Sequence, residues 1–254
     1  MWSYADSAAA LTDVLRLSRG MTYKSALAGL PFGGGKAVIL GDPGRDKSPA
    51  LFRALGRYVE SLGGRYTVAE DVGIEVADIE QVATETRHVA GVAAGGSGDP
   101  SPATAYGVFV GIRAAVKHRL GADRINGDKL TGVSVAIQGA GHVGYELARH
   151  LAGAGADVQI ADVDARRVQR AQDELGATPL SVDRYVEADV DVLAPCALGG
   201  LLNDETIPRL RAPIVAGAAN NQLAEARHGQ MLRDRGVLYA PDYLINAGGI
   251  INIS

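Results

Sequence analysis

Cysteine, lysine and long apolar runs are all scarce in this chain. Cys196 is the single cysteine among 254 residues, which excludes an internal disulfide and suits a reducing compartment. No apolar run reaches the length of a bilayer span, and no basic-then-apolar leader opens at Met1. No basic stripe is present and the formal net charge is −4, so neither nucleic acid nor membrane is expected as a partner. There is no internal repeat and no low-complexity tract. A soluble, cytoplasmic protein is expected, with no metal. The length allows one large domain or two modest ones.

Lys24, Lys36, Lys47, Lys117 and Lys129 are the only lysines, and two of them fall in the single segment SRGMTYKSALAGLPFGGGKAV. Three consecutive glycines there deliver Lys36 into an apolar run. A phosphate-binding P-loop would need G-x-x-x-x-G-K-[ST] between a strand and a helix. Leu30 stands where the first glycine belongs, Ala37 stands where the hydroxyl belongs, and Ala37 to Leu40 reads as a buried strand. A surface lysine at a strand start, its stem laid on apolar neighbours, leaves Gly33, Gly34 and Gly35 unexplained. A lysine in a dry pocket beside a second ammonium has its pKa lowered by desolvation and like charge. Tuned toward about 7–8, such a lysine serves as a general base. Lys36 fits that role, with Lys24 the fixed charge for a substrate carboxylate and the glycines folding the backbone tightly under the substrate. A carboxylate partner is expected at the end of the strand RYTVA, where the run AEDVG offers both Glu70 and Asp71.

The strongest punctuation is Gly91 to Pro102, GVAAGGSGDPSP, which reads as a linker or functional loop. Before it the pattern predicts helices over Ala8–Arg19, Ser48–Leu62 and Val76–Thr86, and strands over Lys36–Leu40 and Arg65–Ala69. After it comes a helix over Ala105–Arg119. Strands follow from Val133, Asp157, Asp189 and Pro213, with helices over Val143–Leu151 and Ala165–Leu175 between them. Strand–helix alternation of this kind means a parallel sheet covered on both faces.

QGAGHVG places Gly139, Gly141 and Gly144 in G-x-G-x-x-G, directly after the strand VSVAI and at the start of a helix. The first glycine permits a tight turn, the second lets backbone approach a pyrophosphate, and the third lets helix and strand pack closely. The turn Gly139, Ala140, Gly141, His142, Val143, Gly144 is therefore expected to hold a dinucleotide phosphate at a helix N-terminus. Asp162, with its neighbour Val163, ends the next strand about 20 residues on, where an acid binds the ribose hydroxyls. Its charge repels a 2′-phosphate, so NAD is expected over NADP. Arg166 and Arg167 stand close enough in sequence for an arginine to accommodate that phosphate.

MTYKSALAGLPFGGGKAVILGDP, AEDVG, SGDPSPATAYGV, APCALGG, AGAANNQL and APDYLINAGGIIN occur in this order along nearly the whole chain. Together they resemble the amino-acid dehydrogenase family of leucine, valine, phenylalanine and glutamate dehydrogenases, the leucine/valine/phenylalanine branch more than the glutamate branch. The resemblance implies an α/β protein of two domains with a cleft between them. A substrate-binding domain would span 1–104 and a Rossmann-type, doubly wound NAD-binding domain 105–254. It implies reversible oxidative deamination of an L-amino acid to the 2-oxo acid, ammonia and NADH by a homo-oligomer. Lys36 then matches the catalytic lysine, Lys24 the lysine that binds the α-carboxylate, and Asp71, rather than Glu70, the proton-shuttling aspartate. Thr104, Ala218 and Asn220 match positions near the nicotinamide, Asn220 also near the substrate. Cys196 and Ala197 match a stretch lining the nicotinamide, with Cys196 as packing and not nucleophile. Ala69, Ile250 and Ile253 match the lining of the side-chain pocket. All three are apolar, which disfavours glutamate and favours leucine or valine over phenylalanine. An aromatic-amino-acid dehydrogenase and a noncatalytic NAD-binding module are the alternatives. The family pattern, and an apolar end at Ile250–Ser254 that reads as an uncovered strand, lead to the expectation that further residues belong on both sides.

Overall fold

The computed structural model describes residues 1–92 and 99–253. The chain divides into two compact units, Met1–Pro100 with Ile250–Ser254, and Ser101–Gly249. Half of the glycine-rich stretch at 91–102, residues 93–98, lies outside the described residues, and Ser101 and Pro102 already belong to a helix. Among the described residues, no helix is long and apolar enough to cross a membrane.

The first unit contains α1 (Ser7–Leu27), α2 (Pro49–Ser61), β1 (Val68–Ala69), α3 (Val76–Ala83) and β2 (Val89–Ala90). Asp6 caps α1 by accepting from the Ala9 N–H at 2.7 Å. Ser48 caps α2 ahead of a proline in its first turn, where the missing N–H costs nothing. Phe52 and Val59 of α2 bury against Val68, Ile79 and Val82, and β1 pairs with β2 in parallel.

Three elements differ from the sequence pattern. Helix α1 runs past Arg19 and through Gly20 to Leu27. An interior glycine costs a helix only about 1 kcal/mol, and packing on the following turn outweighs that. The expected strand at Lys36–Leu40 is absent: its only bridge among the described residues joins Leu40 to Trp2, with the Trp2 N–H donating to the Ile39 carbonyl at 3.0 Å. An apolar run becomes a strand only where a neighbour supplies a ladder, and residue 2 alone supplies one. For the same reason the strand expected over Arg65–Ala69 contracts to the two residues facing β2.

The second unit contains α4 (Ser101–Leu120), β3 (Ser134–Gln138), α5 (His142–Gly153), β4 (Asp157–Ala161), α6 (Ala165–Leu175), β5 (Thr178–Pro179), β6 (Val192–Pro195), β7 (Ile214–Val215), α7 (Arg227–Asp234), β8 (Leu238–Tyr239), α8 (Asp242–Ile245) and the start of α9 (Gly248–Ile253), whose residues from Ile250 on belong to the first unit. All six strands are parallel, in the order β5-β4-β3-β6-β7-β8. This is the doubly wound order in which the topology reverses between the first strand, β3, and the fourth, β6. Alternate residues point to opposite faces of a strand, and the core shows it. Val135, Ile137, Val192, Ala194 and Ile214 enter one apolar cluster with α4 and α5. Ala136, Leu193 and Val215 enter a second cluster with Leu202, Ile207 and Leu232 on the other face.

The apolar end of the chain is helical, as α9, and not an uncovered strand. Gly248 lies so close to α4 that a Cβ there would stand 2.2 Å from the Ala103 carbonyl oxygen. That close approach fixes the path on which the isoleucines enter a helix despite their strand preference.

Candidate active site

In the first unit, α1 is both scaffold and participant. Ser18, Thr22 and Ser25 line one stripe of it, and the glycine segment lies against that stripe. The Ser18 hydroxyl donates to the Gly34 carbonyl at 3.0 Å and the Ser25 hydroxyl to the Gly33 carbonyl at 3.3 Å. A Cβ at Gly34 would lie 2.1 Å from both the Ser18 carbonyl oxygen and Thr22 Oγ1, and one at Gly35 would lie 2.8 Å from the Tyr66 ring. Only Gly33 has open space where a side chain would project, and none of the three adopts a positive φ. The glycines therefore exist mainly for close approach to α1 and Tyr66, and not for a tight turn under a substrate.

This docking joins three of the expected residues. Lys24 sits in the last turn of α1 and is 8% exposed. Lys36 leaves the glycine segment and donates a hydrogen bond to Asp71 Oδ2. Asp71 lies just beyond β1 and is held by the Val72 N–H, which donates to its Oδ1 at 2.7 Å. Burial of the ammonium, and next the like charge of Lys24, bring the Lys36 pKa down from 10.5 to about 8. Glu70 and Asp13 pull weakly the other way. Asp13 is a contributor that sequence reading missed. It lies on α1, accepts from the Tyr4 hydroxyl at 2.6 Å, and has no motif to mark it. Ala69 ends β1 and pairs with Ala90, while Ile250 and Ile253 lie on α9 outside the three apolar clusters.

In the second unit the glycine turn follows β3, beside the loop after β6. Gly139 has φ +101°, and a Cβ there would meet Cys196 and Ala197 at 3.0 Å. At Gly144 a Cβ would stand 1.9 Å from the Gly139 carbonyl oxygen. At Gly141 the nearest atom to such a Cβ is Arg167 Nη1, at 3.9 Å. Tight, open, tight is the pattern a dinucleotide requires, because the open glycine is the one the pyrophosphate approaches. Helix α5 begins at this point with no side-chain cap and no acid in its first turn, so its N-terminal dipole and N–H groups suit an anion. The residues present fit a dinucleotide.

Asp162 has a second task that its spacing did not reveal. Its Oδ2 accepts from the Ala140 N–H at 2.7 Å and its Oδ1 from the Asp164 N–H at 2.8 Å, so it pins the glycine turn to the end of β4. Each carboxylate oxygen can accept more than one bond, which leaves acceptor capacity for ribose hydroxyls. Val163 beside it is 93% exposed. Cys196 is a packing residue: burial pushes its thiol up to about 12, and its Cβ lies 3.4 Å from where a Gly144 side chain would begin. Thr104 occupies the first turn of α4.

Asn246 lies within the run APDYLINAGGIIN, which assigns it no role. It is 4% exposed and donates from Nδ2 to the Ala218 carbonyl at 2.8 Å and to Asn220 Oδ1 at 2.9 Å. It thereby orients two of the expected cofactor positions. The signal available was one amide enclosed by the apolar run YLINAGG.

Asp204, Glu225 and His228 bring potential ligand atoms within 4.8 Å of one another, but their chemistry opposes a metal. His228 Nδ1 accepts from the Glu225 N–H at 2.9 Å, which places the neutral ring's proton on the nitrogen that would ligate. Arg227 already bonds both carboxylates.

Residues 1–88 match the family described as Glu/Leu/Phe/Val dehydrogenase, dimerisation domain, and residues 95–167 and 158–254 match Glutamate/Leucine/Phenylalanine/Valine dehydrogenase. The chain belongs to this dehydrogenase family. Leucine dehydrogenase from Thermoactinomyces intermedius is 53% identical over all of this chain and 69% of its own length. Phenylalanine dehydrogenase from Lysinibacillus sphaericus is 46% identical over all of this chain and 67% of its own. Among solved structures, L-tryptophan dehydrogenase from Nostoc punctiforme superposes with a TM-score of 0.74 at 45% identity, over 99% of this chain and 71% of that one. The resemblance read from the motifs is thus borne out, on the leucine branch, and so is the α/β fold class. This dehydrogenase uses a nicotinamide dinucleotide.

Proposed function

We propose that this dehydrogenase catalyses the NAD-dependent, reversible oxidative deamination of a branched-chain aliphatic L-amino acid, leucine or valine. The products are the 2-oxo acid, ammonia and NADH. The observation that carries the reading is the Lys36–Asp71 hydrogen bond beside buried Lys24, in a chain 53% identical to a leucine dehydrogenase.

Lys24 is a buried cation and binds the α-carboxylate, which neutralises a charge that would be costly to bury unpaired. Asp71 removes a proton from the substrate ammonium, giving the free amine from which hydride can depart. A nicotinamide dinucleotide held at the glycine turn Gly139–Gly144 would supply the hydride acceptor. Lys36, as a free amine, then takes a proton from the water that adds to the imine carbon. Asp71 returns a proton to nitrogen and takes one from Lys36 across their hydrogen bond, so that Lys36 accepts the hydroxyl proton as ammonia leaves and the carbonyl forms; the two protons then pass to solvent. Lys36 and Asp71 share one hydrogen bond, which gives the proton a direct route between the two groups. Ala69, Ile250 and Ile253 line the side-chain pocket in this reading and offer no partner for a second carboxylate. Asp162 favours NAD over NADP. The enzyme acts in the cytoplasm as a homo-oligomer, the latter supported by the dimerisation-domain match of residues 1–88.

The test is cofactor reduction with a panel of L-amino acids. Leucine and valine should outrun phenylalanine and tryptophan by at least about tenfold, the worth of one to two methylenes of pocket volume, and glutamate should be slower still. A preference for an aromatic substrate would replace the aliphatic reading, and no turnover with any of them would end it. The pH profile tests the base. Lys36 acts deprotonated, so deamination should climb with pH, about tenfold per unit below pH 8, and level off above it. Lys24→Met removes the like charge that lowers the Lys36 pKa, so the limb in kcat should move to higher pH.

A further inference from the structure

Asp162 is the expected guard against a 2′-phosphate, and two arginines follow it on α6, but the structure gives them different positions. Arg166 is committed. Its Nε and Nη2 donate to the two oxygens of Asp164 at 3.1 and 2.9 Å, and its side chain is 91% exposed. Arg167 holds no such pair: Nη1 stands 3.9 Å from Asp162 Oδ2 and Nε 3.9 Å from Asp164 Oδ2, both too long for a hydrogen bond. The same Nη1 lies 3.9 Å from the point a Gly141 Cβ would occupy, and nothing else comes within 4 Å of that point. Its guanidinium therefore stands between the open phosphate space and the carboxylate that would meet the ribose.

Resting on the dinucleotide site proposed above, we infer that Arg167 is a ready-made receptor for a 2′-phosphate, held in check by Asp162. The planar guanidinium fork matches a phosphate in two-point contact. Asp162 is itself held in place by the Ala140 and Asp164 N–H groups, so it cannot turn aside when a phosphate arrives, and its charge repels the ligand that Arg167 would attract. Removing that one charge, without introducing any new cation, should open the chain to NADP. Arg166, bonded to Asp164 and turned to solvent, should play no part.

The experiment measures binding, by calorimetry with 2′,5′-ADP and 5′-AMP and by fluorescence with NADH and NADPH. Asp162→Ser and Asp162→Asn are both made, since the asparagine keeps one acceptor for the glycine turn if the serine loosens it. Either variant should bind 2′,5′-ADP at least about tenfold tighter than the parent, a gain of one charge-assisted contact. Adding Arg167→Ala should abolish the gain, and adding Arg166→Ala should leave it. In the otherwise unchanged chain, Arg167→Ala should lower NADPH binding relative to NADH binding by a similar factor. A gain that survives Arg167→Ala, or one lost with Arg166→Ala, overturns the assignment. So does an equal loss of NADH and NADPH, which would make Arg167 a pyrophosphate clamp. Failure of the parent to bind NADH or 5′-AMP would instead sink the dinucleotide reading beneath it.

Discussion

Lys36→Ala should lower kcat for leucine oxidation by about 10²–10⁴-fold, the contribution of a positioned general base. The substitution removes the amine proposed to activate water and leaves the Asp71 carboxylate without the lysine that hydrogen-bonds it. The pH limb near 8 should vanish with it, because Lys36 is the group held at about 8 by burial and by Lys24. NADH binding to the variant, followed by fluorescence, separates the effect from misfolding, since the cofactor turn lies in the other unit. Lys36→Ala retaining more than about a tenth of parental kcat, or keeping the limb, would remove Lys36 from the base role. Asp71→Asn should also be slow, with the loss in kcat rather than in the binding of the α-carboxylate, the task proposed for Lys24.

The second large effect is expected at the cofactor turn. Any side chain at residue 144 would begin 1.9 Å from the Gly139 carbonyl oxygen, so Gly144→Val must push α5 away from the turn. Overpacking of this kind costs roughly 1–3 kcal/mol, and the N–H groups that would hold the pyrophosphate move with the helix. Thermal stability should fall and Kd for NADH should rise by at least about tenfold, the equivalent of about 1.4 kcal/mol. Gly141→Ala provides the contrast. Its Cβ would meet nothing nearer than 3.9 Å and its φ of −70° suits any residue, so the melting temperature should hold. Its methyl group would nonetheless occupy the space kept for the phosphate, and cofactor affinity should fall. If both variants melted alike and bound NADH alike, the division of tasks among the three glycines would be wrong.

Much of the cofactor half was legible in the sequence because its determinants are local. The alternation in VSVAI and DVQIA is a period of two within five residues, and β3 and β4 form where it predicts. Helix α6 occupies Ala165–Leu175 as expected. Asp164 caps its start, and Gly176 ends it at φ 69°, both short-range signals. The three glycines of the fingerprint each encode a steric requirement within six residues of one another. Where signals were short-range, reading succeeded.

The substrate half depended on contacts between residues distant along the chain. The run Lys36–Leu40 has strand-like residues, yet strand formation is a pairwise event, and its partner at Trp2 offers one bridge. The isoleucines at 250–253 prefer strands, yet the packing of Gly248 on α4 sets the backbone path into a helix. The motif around Asn246 gives it no task and Asp13 lies in no motif; both act only through the groups they touch or charge.

By itself, then, the sequence pointed to the parallel α/β alternation, the glycine turn with its acid, and the three residues proposed for amine chemistry: two lysines and an aspartate. Tertiary structure alone decided why Gly33, Gly34 and Gly35 are glycines. They fit against a helix that runs past its expected end, so that Lys24 on the helix, Lys36 on the loop and Asp71 beyond β1 act on one another. It also decided which arginine faces the phosphate space. Local periodicity is written into neighbouring residues; a close approach between segments is a property of the folded backbone, and a glycine shows only that something comes near.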